Sequence, residues 1–276
     1  MSGRIDQDQK LFETGNFADF IVKCDGREWK LHKAILTSRS EWFRRAICGD
    51  FKEARENELV LEEKDPDSVH AMLLWVYTKT CQSFDPSIFA NEDLLYGAYA
   101  ELYKTADFFL QADLKKEVRG LLAAHLMSRA VQMAKLYCKN PPHAGHEVFL
   151  SDDVLRGLKL GLEVAYSYDF PELHAVFRQI VEMTSFWVLE DAKFVEILDE
   201  VPLFAVDIIK LIPRSSHFLH VPVAVRQGRA MNAQNQPRAR VDDNGLAAGG
   251  WLGKFGRGVK RACRGFVEVM AEEESV

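Results

Sequence analysis

Residues 17–44 read FADFIVKCDGREWKLHKAILTSRSEWFR, and the punctuation inside this stretch decides the fold. Asp25-Gly26 stands between two short runs with strand-like apolar content, 18–24 and 27–31. A two-residue Asp-Gly loop suits a turn with positive φ at both positions, whose twist matches that of paired strands, so the stretch predicts a β-hairpin. Two short helical stretches follow, 34–38 and 41–48, with Ser40 placed to accept a hydrogen bond from the free N–H groups of the second. Residues 58–61 (ELVL) predict a third strand.

Downstream of the small sheet the periodicity turns helical. Asp65-Pro66 supplies an N-cap and a first-turn proline. Val69, Leu73, Val76 and Tyr77 then recur at helical spacing. A second long helix is predicted over about 91–108, with Leu94, Leu95, Ala98, Leu102 and Ala106 on its buried face, and a third over 112–127. Residues 139–151, with Pro141-Pro142 and Gly145, predict a linker. Three or four helices are expected between 152 and 212, with Pro171 and Pro202 in first turns. On them Leu155, Leu158, Leu162 and Ala165 share one face, as do Val176, Ile180 and Met183. The organisation expected is a flexible polar N-terminus over 1–16, an α+β domain over 17–127 and an all-α helical extension over 128–213. A mostly disordered basic tail over 214–276 completes it. Phe17, Leu36, Phe43 and Leu73 are expected in the core.

Composition excludes several classes. The 276 residues are 47% hydrophobic and 28% charged, close to globular averages. No apolar run approaches the ~18–20 residues of a membrane-spanning helix, and the first ten residues lack the apolar core of a secretory signal. The five cysteines form no CxxC pair, so neither a zinc site nor a disulfide framework is indicated, and a reducing compartment, cytoplasm or nucleus, is expected. The net charge of −6 is uneven: residues 214–276 carry ten basic and six acidic residues, and residues 1–213 carry 25 and 35. An acidic body does not bind nucleic acid through a broad basic face.

The residues of the first half resemble a known family. FADFIV (17–22) resembles the opening strand of a BTB/POZ domain, F-x-D-[apolar]-x-[apolar], and HKAILTSRSEWFR (32–44) resembles its first helix pair. GDFKE (49–53), Tyr77-Thr78 and YKTADF (103–108) resemble later blocks of the same family in the same order. The resemblance spans about 17–127 and implies a small sheet clasped by helices, followed here by the helical region and tail. It implies homodimerisation, with Asp19 and Lys33 in a charged pocket near the dimer interface. It also implies that Phe51, with Glu53 two residues on, contacts a cullin scaffold: cullin-recruiting members often carry apolar-x-Glu after the second helix, and Phe51-Lys52-Glu53 stands at that place.

No sequence feature argues for catalysis. The pairs His143/His146 and His217/His220 sit beside proline, without the H-E-x-x-H motif or a third ligand nearby. No phosphate-binding or nucleophile-elbow glycine motif is found, so no enzyme activity, cofactor or metal is expected. The function expected is therefore a protein–protein interaction adaptor, a BTB homodimer presenting an unknown substrate protein to a cullin-RING ubiquitin ligase. Two alternatives stay open. One is a BTB transcriptional co-regulator without its own DNA-binding domain. The other is a membrane- or calmodulin-associated scaffold acting through Trp251, Leu252, Phe255, Val259, Ala262 and Phe266, which interleave at helical spacing with Lys254, Arg257, Lys260, Arg261 and Arg264. Gly253, Gly256, Gly258 and Gly265 interrupt that pattern.

Overall fold

The structure, a computed structural model, describes residues 2–81, 94–139, 150–184 and 186–211. Three strands form a mixed sheet in the order β2-β1-β3, from β1 (Phe20–Cys24), β2 (Arg27–Leu31) and β3 (Glu58–Leu61). β1 pairs antiparallel with β2, Val22 opposite Trp29, and parallel with β3, Val22 opposite Leu59. Asp25 and Gly26 both have positive φ, 44° and 76°, the geometry the Asp-Gly loop predicts. Phe20, Val22 and Cys24 alternate inward, so one face of the central strand lines the core.

The helices arrive in the predicted order. Residues Lys33–Arg39 form α2, and Glu41–Cys48 form α3, where the Ser40 hydroxyl accepts from the Phe43 N–H at 3.4 Å. Gln111 Nε2 donates to the same hydroxyl at 2.7 Å, so the cap is also a long-range tie. A short helix α4 (Lys52–Glu56) precedes β3. The next helix, α5 (Pro66–Thr78), begins with the Asp65 carboxylate accepting from the Ser68 N–H at 2.8 Å, and ten of its 13 residues are buried. Against it packs α6 (Leu95–Phe108), and Trp75 Nε1 of α5 donates to Glu117 of α7 (Ala112–Lys139) at 2.8 Å. Leu73, Leu36 and Phe43 are fully buried, as expected.

Among the described residues of the second half stand four α-helices: α8 (Asp152–Ser167), α9 (Pro171–Met183), α10 (Ala192–Glu200) and α11 (Pro202–Leu211). α8 packs on α6 through glycines. A Cβ at Gly97 would lie 2.9 Å from the Leu160 Cβ, and one at Gly161 would lie 2.9 Å from the Tyr96 carbonyl oxygen. Only glycine permits so close an approach of the two helices. Of the faces predicted on α8 and α9, Leu155, Leu158, Leu162 and Ala165, then Val176 and Ile180, are buried, while Met183 at the end of α9 is only half-buried. Asp207 of α11 accepts from Tyr166 Oη of α8 and from Arg178 Nη1 of α9, each at 3.1 Å, and so joins three helices.

Three expectations need correction. The N-terminal 1–16 was expected to be flexible, yet Ser2–Thr14 form a helix, α1. It carries few apolar residues, so periodicity does not betray it; tertiary contacts hold it. Phe12, 7% exposed, packs against the rings of His70 and Tyr77 at 5.2 and 5.3 Å, and Asp8 pairs with Arg39 at 2.6 Å. The third long helix runs to Lys139 instead of 127, because residues 128–139 contain neither glycine nor proline and bury Ala130 and Met133. Phe17 is 93% exposed, with a left-handed backbone, instead of lying in the core. The proline-rich linker, both His-x-x-His pairs and the basic tail lie outside the described residues.

Two histidines tie α5 to the sheet and to α2. The Tyr77 hydroxyl accepts from the His32 N–H at 2.8 Å and meets His32 Nδ1 at 2.9 Å, while His32 Nε2 meets the Asn16 carbonyl at 2.7 Å. A carbonyl only accepts, so Nε2 carries the proton and Nδ1 accepts from the tyrosine. On the sheet side, Trp29 Nε1 donates to His70 Nδ1 at 3.0 Å. Burial, then the Arg27 guanidinium, pulls the His70 pKa below its ordinary 6.5. The unfolded chain therefore binds a proton that the folded chain resists, so this contribution to stability is complete above pH 6.5 and is lost as pH falls through the folded value. Denaturant titrations between about pH 5 and 8 should show stability falling on the acid side. His70→Asn should flatten that limb, since its amide oxygen can accept from Trp29 without titrating.

Candidate partner-docking site

Phe51 lies where the chain turns from α3 into α4. It is the N-cap residue of α4 with an extended backbone, and the residue is 60% exposed. The ring is not free, however. A Cβ at Gly49 would lie 2.8 Å from Phe51 Cδ2 and 2.9 Å from the Arg45 carbonyl oxygen, so the ring leans on bare backbone that only glycine leaves open. Glu53, in the first turn of α4, is half-buried and faces the same side: both line a groove of about 500 Å³.

The rest of that groove comes from three other elements. Trp42 of α3 meets Phe108 at the end of α6 with ring centroids 5.8 Å apart. Val60 of β3 points outward at 56% exposure, between buried Leu59 and Leu61. Leu110, in a left-handed turn after α6, is 61% exposed and Phe108 43%. Lys64 Nζ sits 4.0 Å from the centre of the Phe108 ring and holds it by a cation–π contact. Three aromatics and two aliphatics thus form one open apolar surface, rimmed by Glu53, on rigid elements. Monomeric proteins rarely leave such clusters bare without a partner to cover them.

Sequence reasoning named Phe51 and Glu53 and missed the other members. The alternation Leu59-Val60-Leu61 already placed Val60 outward. Phe108-Phe109 was a visible pair at a helix end, of which only one could turn inward, and Phe109 is the buried one. Trp42 and Leu110 carry no sequence signal of their own.

The second pair, Asp19 and Lys33, meets through backbone instead of charge. Asp19 Oδ1 accepts from the Lys33 N–H at 2.7 Å, while the Lys33 ammonium donates to Asn57 Oδ1. Asp19 is exposed in the single chain. It acts as a remote cap for α2, whose own N-cap residue, His32, offers no side-chain bond to the helix. Phe17, two residues before Asp19, is held outward in its left-handed turn. The site thus joins β1, α2 and the α4–β3 junction, beside one bare aromatic.

Among the described residues no group of three or more His, Cys, Asp or Glu is placed to hold a metal ion, and no helix is long and apolar enough to cross a membrane. Free cysteines include Cys24, buried, and Cys48, exposed.

Comparison with known proteins agrees with this architecture. Residues 9–126 match the BTB/POZ domain family. Kelch-like protein 40 of Xenopus laevis is 30% identical over 78 residues, 28% of this chain and 13% of that protein. Kelch-like protein 24a of Danio rerio is 36% identical over 62 residues, 22% of this chain and 10% of that protein. Kelch repeat and BTB domain-containing protein 4 of Homo sapiens is 28% identical over 124 residues, 44% of this chain and 21% of that protein. The chain spans about a tenth to a fifth of the length of these relatives.

If Asp19 caps α2, only its acceptor oxygen matters to the fold. Asp19→Ala should cost about 1 kcal/mol, and Asp19→Asn, which keeps an amide oxygen, should cost less. Equal losses in urea titrations of the two variants would show that the charge itself is needed.

Proposed function

We propose that this chain, whose residues 9–126 are a BTB/POZ domain, a protein-interaction module, works as a homodimeric adaptor that docks a cullin scaffold and presents a substrate protein for ubiquitination. The observation that carries the reading is Phe51, 60% exposed on a short rigid turn beside an open apolar groove. In this reading Phe51 enters an apolar groove of the cullin N-terminal helix bundle. The surface of Trp42, Val60, Phe108 and Leu110 packs alongside it, and Glu53 makes a polar contact at the rim. An aromatic anchor surrounded by residues that exclude water is the arrangement that concentrates binding energy. The relationship to kelch-like proteins and to kelch repeat and BTB domain-containing protein 4 supports the adaptor class.

Homodimerisation rests on Phe17 and the neighbouring Asp19 and Lys33. A phenylalanine 93% exposed, in a backbone region that costs a non-glycine residue about 1–2 kcal/mol, gains nothing from its place in the single chain. Its burial against a second copy offsets both costs, and Asp19 and Lys33 lie next to it. The helices after the domain, α8 to α11, widen the surface available to partners. Such an adaptor works in the cytoplasm or nucleus.

Two measurements test the reading. Calorimetry with a purified cullin N-terminal domain should detect binding, and Phe51→Ala should weaken it by about 2–4 kcal/mol, roughly 30- to 1000-fold. Glu53→Ala should weaken it less, because rim charges mainly steer association. Both variants should unfold as the wild type does. Absence of binding at tens of micromolar protein would overturn the cullin assignment and favour the co-regulator reading. Separately, sedimentation of the full chain at micromolar concentration should give a dimer, and Phe17→Asp should shift it toward monomer.

A further inference from the structure

Helix α11 reads PLFAVDIIKL and is apolar nearly all round. Its inner face carries Phe204 and Ile208, 0% and 2% exposed. The Phe204 ring packs near Phe194 of α10 and Tyr166 of α8, at 6.4 and 5.9 Å. On the outer face Leu203 and Val206 are 61% and 46% exposed. A helix apolar on both faces is expected between two layers, and one face of α11 is bare.

The charges beside that face say what suits it. Val195 on α10 is 38% exposed, and Asp199 follows one turn later. Leu203 comes four residues after Asp199, so their Cα atoms are at most about 14 Å apart. Lys210, exposed in the last turn of α11 on the same side as Leu203 and Val206, has an interaction of its own, and the cations of the neighbouring helices are engaged as well. Lys193 pairs with Asp152 at 2.5 Å, Lys159 with Glu200 at 2.6 Å and Arg178 with Asp207 at 3.1 Å. Glu196 and Asp199 form no ion pair among the described residues; Lys193 is influenced by Glu196 only over a longer distance. Beside the exposed aliphatic side chains of α11, the end of the helical region therefore presents two carboxylates, Glu196 and Asp199, without an ion pair among the described residues.

We propose that the α10–α11 end is a docking surface for a basic amphipathic helix of a partner protein. The partner's apolar stripe covers Leu203, Val206 and Val195, and its Lys or Arg residues face Glu196 and Asp199. Helix-in-groove recognition uses this combination of apolar anchors and flanking charge. A second copy of this chain would bring the same carboxylates against each other, and an anionic lipid surface would meet them with like charge; both oppose those occupants. The surface shares no element with the Phe51 groove, and it stands whether or not a cullin binds there. It gives the chain a second partner site, separate from that groove.

The test uses the full chain and a fluorescent helical peptide of leucine and lysine, about 18 residues or five turns long, with its leucines on one face. Fluorescence anisotropy should show saturable binding that weakens with added salt. The double variant Leu203→Asp, Val206→Asp should lose at least about tenfold in affinity. Glu196→Lys with Asp199→Lys should lose a similar factor together with most of the salt dependence. Phe51→Ala should bind the peptide as the wild type does, so failure at the cullin groove stays distinguishable from failure here. All four substituted positions are exposed, and thermal melts of the variants should match the wild type. If the α11 variant melts early, the lysine pair on α10 still decides the matter. The proposal is overturned if neither double variant changes affinity, or if a leucine–glutamate peptide binds as well. It is also overturned if Leu203→Asp, Val206→Asp dissolves a self-association of the chain, which would make a second copy the occupant.

Discussion

Helix α5 has almost no polar face to turn toward water, and most of the domain is arranged to cover it. From Val69 to Tyr77 only His70 interrupts a run of apolar and aromatic residues, and Leu73, Val76 and Met72 are wholly buried. A helix of this kind is stable only when neighbours surround it. The sheet covers it through Trp29, α2 through the Tyr77 hydroxyl, α1 through Phe12, and α6 along its length. Even its C-terminal carbonyls are satisfied from outside the helix, by the Arg39 guanidinium reaching Val76 and Tyr77. Arg39 in turn is paired with Asp8, so the same cation that closes α5 also fastens α1.

Covering α5 decides where the exposed apolar groove falls. α3 packs inward through Phe43 and Ile47, which leaves the chain after it to turn on Gly49 and send Phe51 outward. Phe109 stacks on Phe43 at 5.5 Å, so its neighbour Phe108 has only the rim to occupy. The apolar groove is thus the remainder of a solved packing problem, held on the backs of residues that are themselves immobilised in the core. That is the support an interaction site needs, since side chains ordered beforehand lose less entropy on binding.

Much of this was legible in residues whose physics is local. The turn at Asp25-Gly26 and the caps by Ser40 and Asp65 act within three residues, and all three stand where they were read. The buried face of α8 was legible from spacing alone. What stayed hidden depends on residues distant in sequence. α1 is a helix because Phe12 finds His70 and Asp8 finds Arg39, and no window around residues 2–14 contains either partner. The Asp19–Lys33 meeting was legible as proximity but not as chemistry: the lysine contributes its N–H there and sends its ammonium to Asn57. Phe17 was misplaced for a related reason. An apolar residue before a strand looks like core unless its backbone is known to turn left-handed.

The two bare apolar surfaces arise differently, and the difference bears on how each can be used. At the groove, exposed aromatics sit on elements whose other faces are locked into the core of the domain, and Lys64 even holds Phe108 in place. Such a surface changes little between its free and bound forms, which favours a constant partner met in one geometry. α11 is the last described helix, tied inward by Phe204, Ile208 and the Asp207 bonds to Tyr166 and Arg178. Its exposed Leu203 and Val206 are aliphatic, and the carboxylates of α10 beside it select by sign more than by shape. Recognition there tolerates variation in the partner's sequence as long as an apolar stripe and a positive flank are kept. On the proposed adaptor reading, the rigid aromatic site would serve one invariant scaffold and the permissive acidic site variable cargo.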